Sequence, residues 1–165
     1  MILLGLGGNL QSEAGGPAAT AEAALQRLAQ AGVALEALSP WYESAPIPAS
    51  DQPWFLNAVA KVSTAKNPEM LLALLHQVEA DLGRVRTVPN AARVIDLDLL
   101  AYNDLVQPGP PILPHPRLQD RAFVLYPLKD VAPGWRHPAL GKSVDAMIAD
   151  LAGEQLIRLV VPGAP

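Results

Sequence analysis

Cysteine is absent from the 165-residue sequence, so neither a disulfide framework nor a thiolate metal site can form. The sequence also lacks an apolar run of the roughly 18 residues that a membrane-spanning helix needs. No basic segment followed by apolar and small residues, as in a secretory signal, opens the chain. These absences favour a cytoplasmic protein that makes no contact with a membrane.

Charged residues are scarce, at 17% of the sequence against roughly 25% in average soluble proteins. The net charge of −4 argues against nucleic-acid binding, which depends on a basic surface. Hydrophobic residues make up 50% of the chain, and its length suits one domain with a sizeable core. We therefore expect a single domain over residues 1–165. Because no long apolar surface helix demands a partner chain, we expect a monomer.

The basic residues are concentrated in one part of the chain. Five of the 12 lysines and arginines lie between positions 84 and 121, and all five are arginine: Arg84, Arg86, Arg93, Arg117 and Arg121. A guanidinium group is planar and matches two phosphate oxygens at once. An acidic protein with this distribution is expected to bind a small anionic ligand at one place.

Two aspartates, Asp96 and Asp98, begin an apolar run that is typical of a buried strand. Successive strand side chains point to opposite faces, so these two share a face, with Cα atoms about 6–7 Å apart. Two carboxylates beside buried apolar residues need a compensating charge, and a divalent cation is the usual one. A surface ion-pair network at a strand end explains the same residues equally well, and the aspartates alone do not decide between the two.

Apolar periodicity and turn residues predict the element order β-α-β-β-α-β, followed by an irregular helical region and a last strand. The strands are predicted at 2–6, 33–42, 55–62, 95–100, 105–106 and 156–161, and the helices begin at Pro17, Pro68 and Ser143. This order indicates an α+β fold with a ferredoxin-like βαββαβ core and a mostly antiparallel sheet. Helices would pack on the faces of the sheet, and a helix and a strand would follow at the C-terminal end.

Three further polar residues each allow two interpretations. Asn57 lies in the middle of a predicted strand, where an edge-strand asparagine facing water is favoured over one that recognises a heterocycle. Glu79 follows the apolar stripe of a helix and could be a solvated carboxylate with a partner one turn away. His115 lies between two prolines that stiffen its backbone, although a single histidine is more often structural than catalytic.

Several separated stretches resemble the 6-hydroxymethyl-7,8-dihydropterin pyrophosphokinase family of folate biosynthesis. They are 6–10, 41–46, 52–57, Glu79 with 83–86, 93–98 and 114–128. The most specific are Arg93-Val-Ile-Asp-Leu-Asp98 and Pro114-His-Pro-Arg117, the latter followed by Arg121-Ala-Phe123. The resemblance covers nearly the whole chain and implies transfer of pyrophosphate from ATP to the hydroxymethyl group of the pterin, with release of AMP.

The same resemblance implies the site residues. Asp96 and Asp98 would hold two Mg²⁺ ions, and together with Arg84 and Arg93 they would carry the catalysis. The implied ATP-binding residues are Gln77, Glu79, Arg84, Arg86, Arg93, His115 and Arg121. The implied pterin-binding residues are Ser44, Ala45, Ile47, Phe55, Asn57, Asp96 and Phe123, with the two phenylalanines stacking on the heterocycle. ATP and the reduced pterin would be the only partners, without nucleic acid or membrane.

The sequence departs from the family pattern in four places. Ala45 stands where proline is common, and the arginine often found shortly before Pro114-His115 is absent. The segment 87–93 lacks the tryptophan that usually precedes a Pro-Arg pair and is one residue shorter, so we expect the closure of this loop over ATP to differ. Gly8 stands where the family usually has serine. Two other functions therefore remain in view: a ferredoxin-like module that binds a nucleotide without chemistry, and a two-metal nucleotidyl transferase or cyclase that would release pyrophosphate instead of AMP.

Overall fold

The computed structural model describes residues 1–85 and 91–160. Its strands are β1 (Ile2–Gly8), β2 (Ala34–Leu38), β3 (Tyr42–Ser44), β4 (Phe55–Ser63), β5 (Asp96–Tyr102) and β6 (Ile157–Leu159). Its helices are α1 (Pro17–Gln30), α2 (Pro68–Asp81), α3 (Ala122–Val131) and α4 (Val144–Ala149), and a 3₁₀ turn at Leu118–Asp120 precedes α3. None of the described helices is both long and apolar enough to cross a membrane.

The strands form one sheet in the order β5-β1-β4-β3-β6, with β2 also paired to β4. Each of these pairings is antiparallel. The connection from β1 through α1 to β2 passes over β4, which lies between these two strands in the sheet. In the same way, the connection from β4 through α2 to β5 passes over β1. Such split βαβ units define a ferredoxin-like core. The predicted fold class is confirmed.

Local sequence signals account for the two long helices. Pro17 and Pro68 occupy the first turns of α1 and α2, where a missing N–H costs nothing. The Asn67 side chain accepts a hydrogen bond from the Met70 N–H at 2.8 Å and so caps α2. Both helices are followed by glycines with positive φ, Gly32 at 92° and Gly83 at 96°, a conformation that stops a helix at little cost.

The sheet is covered on both faces, and the alternation of its side chains separates two cores. One core joins the sheet to α1 and α2 and includes Leu4, Leu97 and Leu99. The other joins it to α3 and α4 and includes Leu3 and Leu100. The two aspartates at the start of β5 therefore point to the face opposite α1 and α2, at the end of the sheet where α3 begins.

Four predicted elements differ in the structure. The strand expected over 33–42 is divided into β2 and β3 around Pro40, because proline cannot donate a hydrogen bond to the sheet. The short strand expected at 105–106 is wrong: Leu105 and Val106 are exposed and lie outside any strand. The C-terminal helix and strand are present but shorter than expected, as Val144–Ala149 and Ile157–Leu159.

Candidate active site

A row of residues across three strands forms the floor of the site. Gly7 on β1 is paired with Asp96 on β5 and with Asn57 on β4. Glycine leaves open the space that a side chain between Asp96 and Asn57 would fill. A Cβ atom at this position would lie 3.0 Å from Asn57 Oδ1. Asp96 and Asn57 lie on the strands on either side of β1, and neighbouring strands are about 4.8 Å apart. The opening between the two polar side chains therefore spans two strand spacings and is wide enough for a planar ring.

A first cavity of about 370 Å³ lies above this floor and is lined by Gly7, Ser44, Ala45, Ile47, Phe55, Asn57, Arg93, Asp96, Arg117, Asp120, Arg121, Phe123, Ala152, Glu154 and Gln155. Every residue that the sequence analysis assigned to the pterin is in this lining. The structure thus brings together residues from β3, β4, β5 and α3 that are up to 79 positions apart, from Ser44 to Phe123. The ligand that they bind stays a prediction.

Asn57 lies in the central strand β4 and is only 5% exposed. Its amide nitrogen donates to Ser44 Oγ at 2.7 Å and to the Phe55 carbonyl at 3.5 Å. The interpretation as a water-facing asparagine on an edge strand is therefore wrong. It failed because the sequence does not reveal that β1 and β3 lie on either side of β4.

A second cavity, of about 380 Å³, lies on the other side of the aspartates. Its polar lining residues are His76, Glu79, Asp96, Asp98 and His115, and prolines 108, 110, 111 and 116 form part of its wall. Asp96 lines both cavities. The carboxylate pair therefore lies where two separate ligands could meet.

Arg84 is held by two carboxylates from different elements. Its Nη1 atom donates to Glu79 on α2 and to Asp96 Oδ1 at 2.7 Å. Burial alone would lower the pKa of Arg84, but the hydrogen bonds and charges of Asp96 and Glu79 outweigh it and raise that pKa. Glu79 is 2% exposed and also accepts the Leu97 N–H at 2.8 Å. The interpretation of Glu79 as a solvated carboxylate is wrong: it ties α2 to the start of β5.

Arg93 approaches Asp96 from the loop side. Its Nη1 lies 3.2 Å from Asp96 Oδ2, and its guanidinium carbon lies 5.4 Å from the centre of the Phe55 ring. The backbone N–H of Arg93 donates to Asn9 Oδ1 at 2.9 Å, and the Asn9 amide donates to Gln52 and to the Pro53 carbonyl. Asn9 thereby fixes Arg93 beside the loop before β4.

The backbone around Gly8 leaves no room for a side chain. A Cβ atom at Gly8 would lie 2.6 Å from the backbone oxygen of Val94, which is closer than any normal contact. We expect Gly8→Ser to lower the free energy of unfolding by about 1–3 kcal/mol, since the backbone at 93–95 must shift. Urea denaturation measures this, with Gly134→Ala as control because no atom lies within 4 Å of that Cβ. Equal stability of Gly8→Ser and wild type would contradict the expectation.

Asp98 has a less favourable environment than Asp96. Burial, and then the neighbouring charge of Asp96, raise the pKa of Asp98 to about 7, against a smaller lowering effect of Arg121. In the described ranges, no group of three or more acidic or histidine side chains is arranged to hold a metal by itself. Two carboxylates with phosphate oxygens and water suit Mg²⁺, which keeps several non-protein ligands. The residues present therefore fit Mg²⁺.

His115 and Arg121 face the aspartates from the segment after β5. Burial, followed by the charge of Arg121, lowers the pKa of His115 to about 4, so its imidazole is neutral at pH 7. Its Nδ1 accepts the Arg117 N–H at 3.2 Å, which assigns the proton to Nε2. Burial likewise lowers the pKa of Arg121, whose guanidinium carbon lies 5.3 Å from the centre of the Phe123 ring. This segment offers a neutral donor and a cation to an anionic ligand.

The depressed pKa of His115 predicts a pH effect on stability. Between pH 6.5 and about 4 the unfolded chain binds a proton that the folded protein does not, so stability falls as pH falls through this range. Solvent screening at its exposed side limits the effect to about 1–2 kcal/mol. The raised pKa of Asp98 makes stability change with pH in the opposite direction, and this contribution is present in both wild type and His115→Gln. The two proteins are therefore compared by urea denaturation at pH 7 and pH 4.5. We expect the variant to lose less stability; parallel losses would contradict this.

One residue assigned to ATP, Gln77, lies away from both cavities. Gln77 lies on the exposed side of α2, donates to Asp81 at 2.8 Å and lines neither cavity. Arg86 lies outside the described residues. Conversely, His76 lines the second cavity although the sequence analysis did not select it, and Arg117, which was named only as one of the grouped arginines, lines the first cavity. His76 precedes Glu79 by three positions, a spacing that places two residues on one helix face and could have identified it.

The structure combines an antiparallel α+β fold with a pair of carboxylates that lies between two cavities and has arginines around it. These are features of a transferase that acts on phosphate groups. The sequence model of the 7,8-dihydro-6-hydroxymethylpterin-pyrophosphokinase (HPPK) family matches residues 3–133. The chain belongs to this family.

Several curated relatives have similar sequences. The 2-amino-4-hydroxy-6-hydroxymethyldihydropteridine pyrophosphokinase of Pseudomonas aeruginosa is 41% identical over 131 residues, covering 79% of this chain and 79% of that protein. The enzyme of the same name from Methylorubrum extorquens is 42% identical over 132 residues, covering 79% and 81%. The folic acid synthesis protein fol1 of Pneumocystis carinii is 38% identical over 140 residues, covering 84% of this chain but 19% of that protein. The chain thus spans about a fifth of the length of this larger relative.

Solved structures share the fold. The HPPK-DHPS of Plasmodium falciparum, crystallised with pteroate, superposes with a TM-score of 0.68 at 13% sequence identity, over 90% of this chain and 44% of that one. Identity this low supports a common fold and nothing about individual residues.

Proposed function

We propose that this chain transfers the terminal pyrophosphoryl group of ATP to 6-hydroxymethyl-7,8-dihydropterin and releases AMP, a step of tetrahydrofolate biosynthesis. The hydroxymethyl oxygen of the pterin forms a bond to the β-phosphorus. The bond between that phosphorus and the oxygen leading to the α-phosphate breaks, and the hydroxyl proton passes to solvent. Such a transfer depends on positioning and charge stabilisation more than on covalent chemistry.

The observation that carries this proposal is the position of Asp96, which lines both cavities. A pterin in the first cavity and the phosphates of ATP in the second would meet at this carboxylate. Asp96 can then accept a hydrogen bond from the pterin hydroxyl and orient its oxygen. A module that only binds a nucleotide has no use for a second cavity that opens on the same carboxylate.

The first cavity has the chemistry to hold a pterin. Asn57 and the backbone groups of Ser44, Ala45 and Ile47 offer donors and acceptors to the edge of the heterocycle. Phe55 and Phe123 would stack on its faces. Both rings line this cavity, and a guanidinium group lies over each of them.

The polar lining of the second cavity is His76, Glu79, Asp96, Asp98 and His115, and no described arginine lines it, so a triphosphate there would depend on cations of neighbouring residues. Arg84, which binds Glu79 and Asp96, and Arg93 and Arg121, which line the first cavity beside Asp96, would neutralise phosphate charge. The Nε2 proton of His115 would donate to a phosphate oxygen. Glu79 would act by holding Arg84. Asp96 and Asp98 would hold Mg²⁺, two ions in this proposal, which when bound neutralise and orient the phosphate oxygens. Contacts of Gln77 and Arg86 with ATP, a single-domain organisation over 1–165, a monomeric state and a cytoplasmic location stay predictions.

A nucleotide-release assay tests the proposal. Purified protein is incubated with ATP and Mg²⁺, with and without 6-hydroxymethyl-7,8-dihydropterin, and the released nucleotide is identified by chromatography. We expect AMP at a stoichiometry of one per pterin consumed, and only when the pterin is present. Release of pyrophosphate would instead indicate nucleotidyl transfer, and ATP binding without any product would indicate a binding module. Either result from folded protein would refute the proposed reaction.

A further inference from the structure

The segment Gln155–Leu159 lies beyond residues 3–133, the part of the chain that the family model matches. Nevertheless, Gln155 lines the first cavity, close to the Ser44–Ile47 loop and to the start of α3. Both of these regions line that cavity, and they belong to different elements of the fold. The C-terminal segment therefore has a place in the site that the family match does not assign.

On one side, the segment is bonded to the wall that contains Ser44 and Ala45. The Ala45 N–H donates to the Leu156 carbonyl at 3.1 Å, and β6 pairs with β3 in antiparallel register, with Ser44 opposite Ile157. Backbone hydrogen bonds to a sheet strand hold the segment at a fixed distance from this wall.

On the other side, the Gln155 side chain binds the wall that contains Arg121 and Phe123. Its Oε1 accepts the N–H of Ala122 at 2.9 Å, and its Nε2 donates to the Asp120 carbonyl at 2.9 Å. The residue that precedes α3, Arg121, makes no side-chain capping bond. The first N–H groups of a helix have no partner within the helix, so Gln155 satisfies a buried group for which the local sequence has no acceptor.

We propose that Gln155 is a positioning residue that sets the width of the pterin cavity. It joins the segment held by β3 to the N-terminal end of α3, and so fixes Phe123 relative to Ser44, Ala45 and Asn57. This inference rests on the proposed function, because it takes a pterin as the ligand. A planar ring stacks well only when the groups around it are held at the right separation.

Two variants separate the role of the hydrogen bonds from that of the side-chain volume. Gln155→Met keeps the length of the side chain and loses both hydrogen bonds. Gln155→Glu keeps an acceptor for the Ala122 N–H and loses the donor to Asp120. The matched control is Gln26→Ala, at an exposed position on α1 far from both cavities. Binding is measured by calorimetry with 6-hydroxymethylpterin, an oxidised form that retains the heterocycle, and turnover by AMP release.

We expect Gln155→Met to raise the Kd for the pterin, and its KM, about tenfold, which corresponds to the loss of one or two ordinary hydrogen bonds. The effect of Gln155→Glu should be smaller, about threefold, because the helix N-terminus favours its charge. The KM for ATP should rise less than the KM for the pterin, because Gln155 reaches the ATP site only through Arg121, which lies between Asp120 and Ala122, and kcat should stay within about twofold of wild type.

A folded Gln155→Met variant with wild-type pterin affinity would overturn the inference. An equal rise in the KM values for pterin and ATP would also overturn it, because that indicates general loosening of the fold. The calorimetric measurement needs no turnover, so wild-type protein that binds the pterin but releases no AMP refutes the proposed reaction and leaves the role of Gln155 measurable. Wild-type protein that binds no pterin would refute both.

Discussion

Replacing Asp98 with asparagine is expected to lower kcat by about a thousandfold, the scale seen when a group that stabilises transition-state charge is removed. Asparagine has the same shape as aspartate but no charge, so the change removes a proposed Mg²⁺ ligand with little change in packing. The AMP-release assay at saturating ATP and pterin measures the loss. Asp145→Asn is the control, because Asp145 is exposed and pairs with Lys129 at the surface.

Asp98→Asn should also have a distinctive effect on stability. In the metal-free protein the pKa of Asp98 is raised to about 7, above the unfolded value of 3.8. Its favourable contribution is therefore complete below pH 3.8 and is lost as pH rises through 7. At pH 8 with EDTA, the variant should be more stable than wild type, and at pH 4 the difference should become small.

Asp96→Asn should lose activity to a similar extent but should reduce stability. Asp96 pairs with Arg84 at 2.7 Å and with Arg93 at 3.2 Å, and asparagine leaves both partly buried cations without that charge. The two substitutions thus differ in the sign of their stability effect at pH 8. A rate near that of wild type for either variant at ordinary Mg²⁺ concentrations would show that the residue is not a required metal ligand.

The strand period is the reason that much of the site could be predicted. A period of two places Asp96 with Asp98, and Phe55 with Asn57, on common faces, and the structure has both pairs on the face that packs against α3 and α4. The cross-strand register could not be read in this way. That Gly7 lies between Asp96 and Asn57 depends on how β1, β4 and β5 align, and this is decided by packing over the whole sheet.

Helix phase and burial account for the positions that the sequence did not reveal. Gln77 was assigned from the family resemblance, and its position two residues before Glu79 turns it to another side of α2. Glu79 was interpreted as solvated because carboxylates are rarely buried without a partner, and its partners, Arg84 and the Leu97 N–H, come from the next loop and strand. Gln155 contacts residues more than 30 positions away, and no local sequence pattern indicates such a contact.

Replacing Glu79 with alanine is expected to lower the free energy of unfolding by about 3–5 kcal/mol, the usual result of removing one partner from a buried ion pair. Glu79 is 2% exposed, and its removal leaves the Arg84 guanidinium and the Leu97 N–H without this acceptor. The effect should be large because Glu79 joins α2, the loop after it and the start of β5, so the aspartates lose their support as well.

A graded series tests this role of Glu79 by urea denaturation at pH 7. Glu79→Gln can still accept the Leu97 N–H but has no charge for Arg84, so its loss should fall between those of wild type and Glu79→Ala. Glu22→Ala, at an exposed position on α1, should change stability by less than about 0.5 kcal/mol. If Glu79→Ala were as stable as Glu22→Ala, Glu79 would not be the residue that supports Arg84 and β5. In that case Asp96 and the Ile95 carbonyl would be sufficient to hold the arginine.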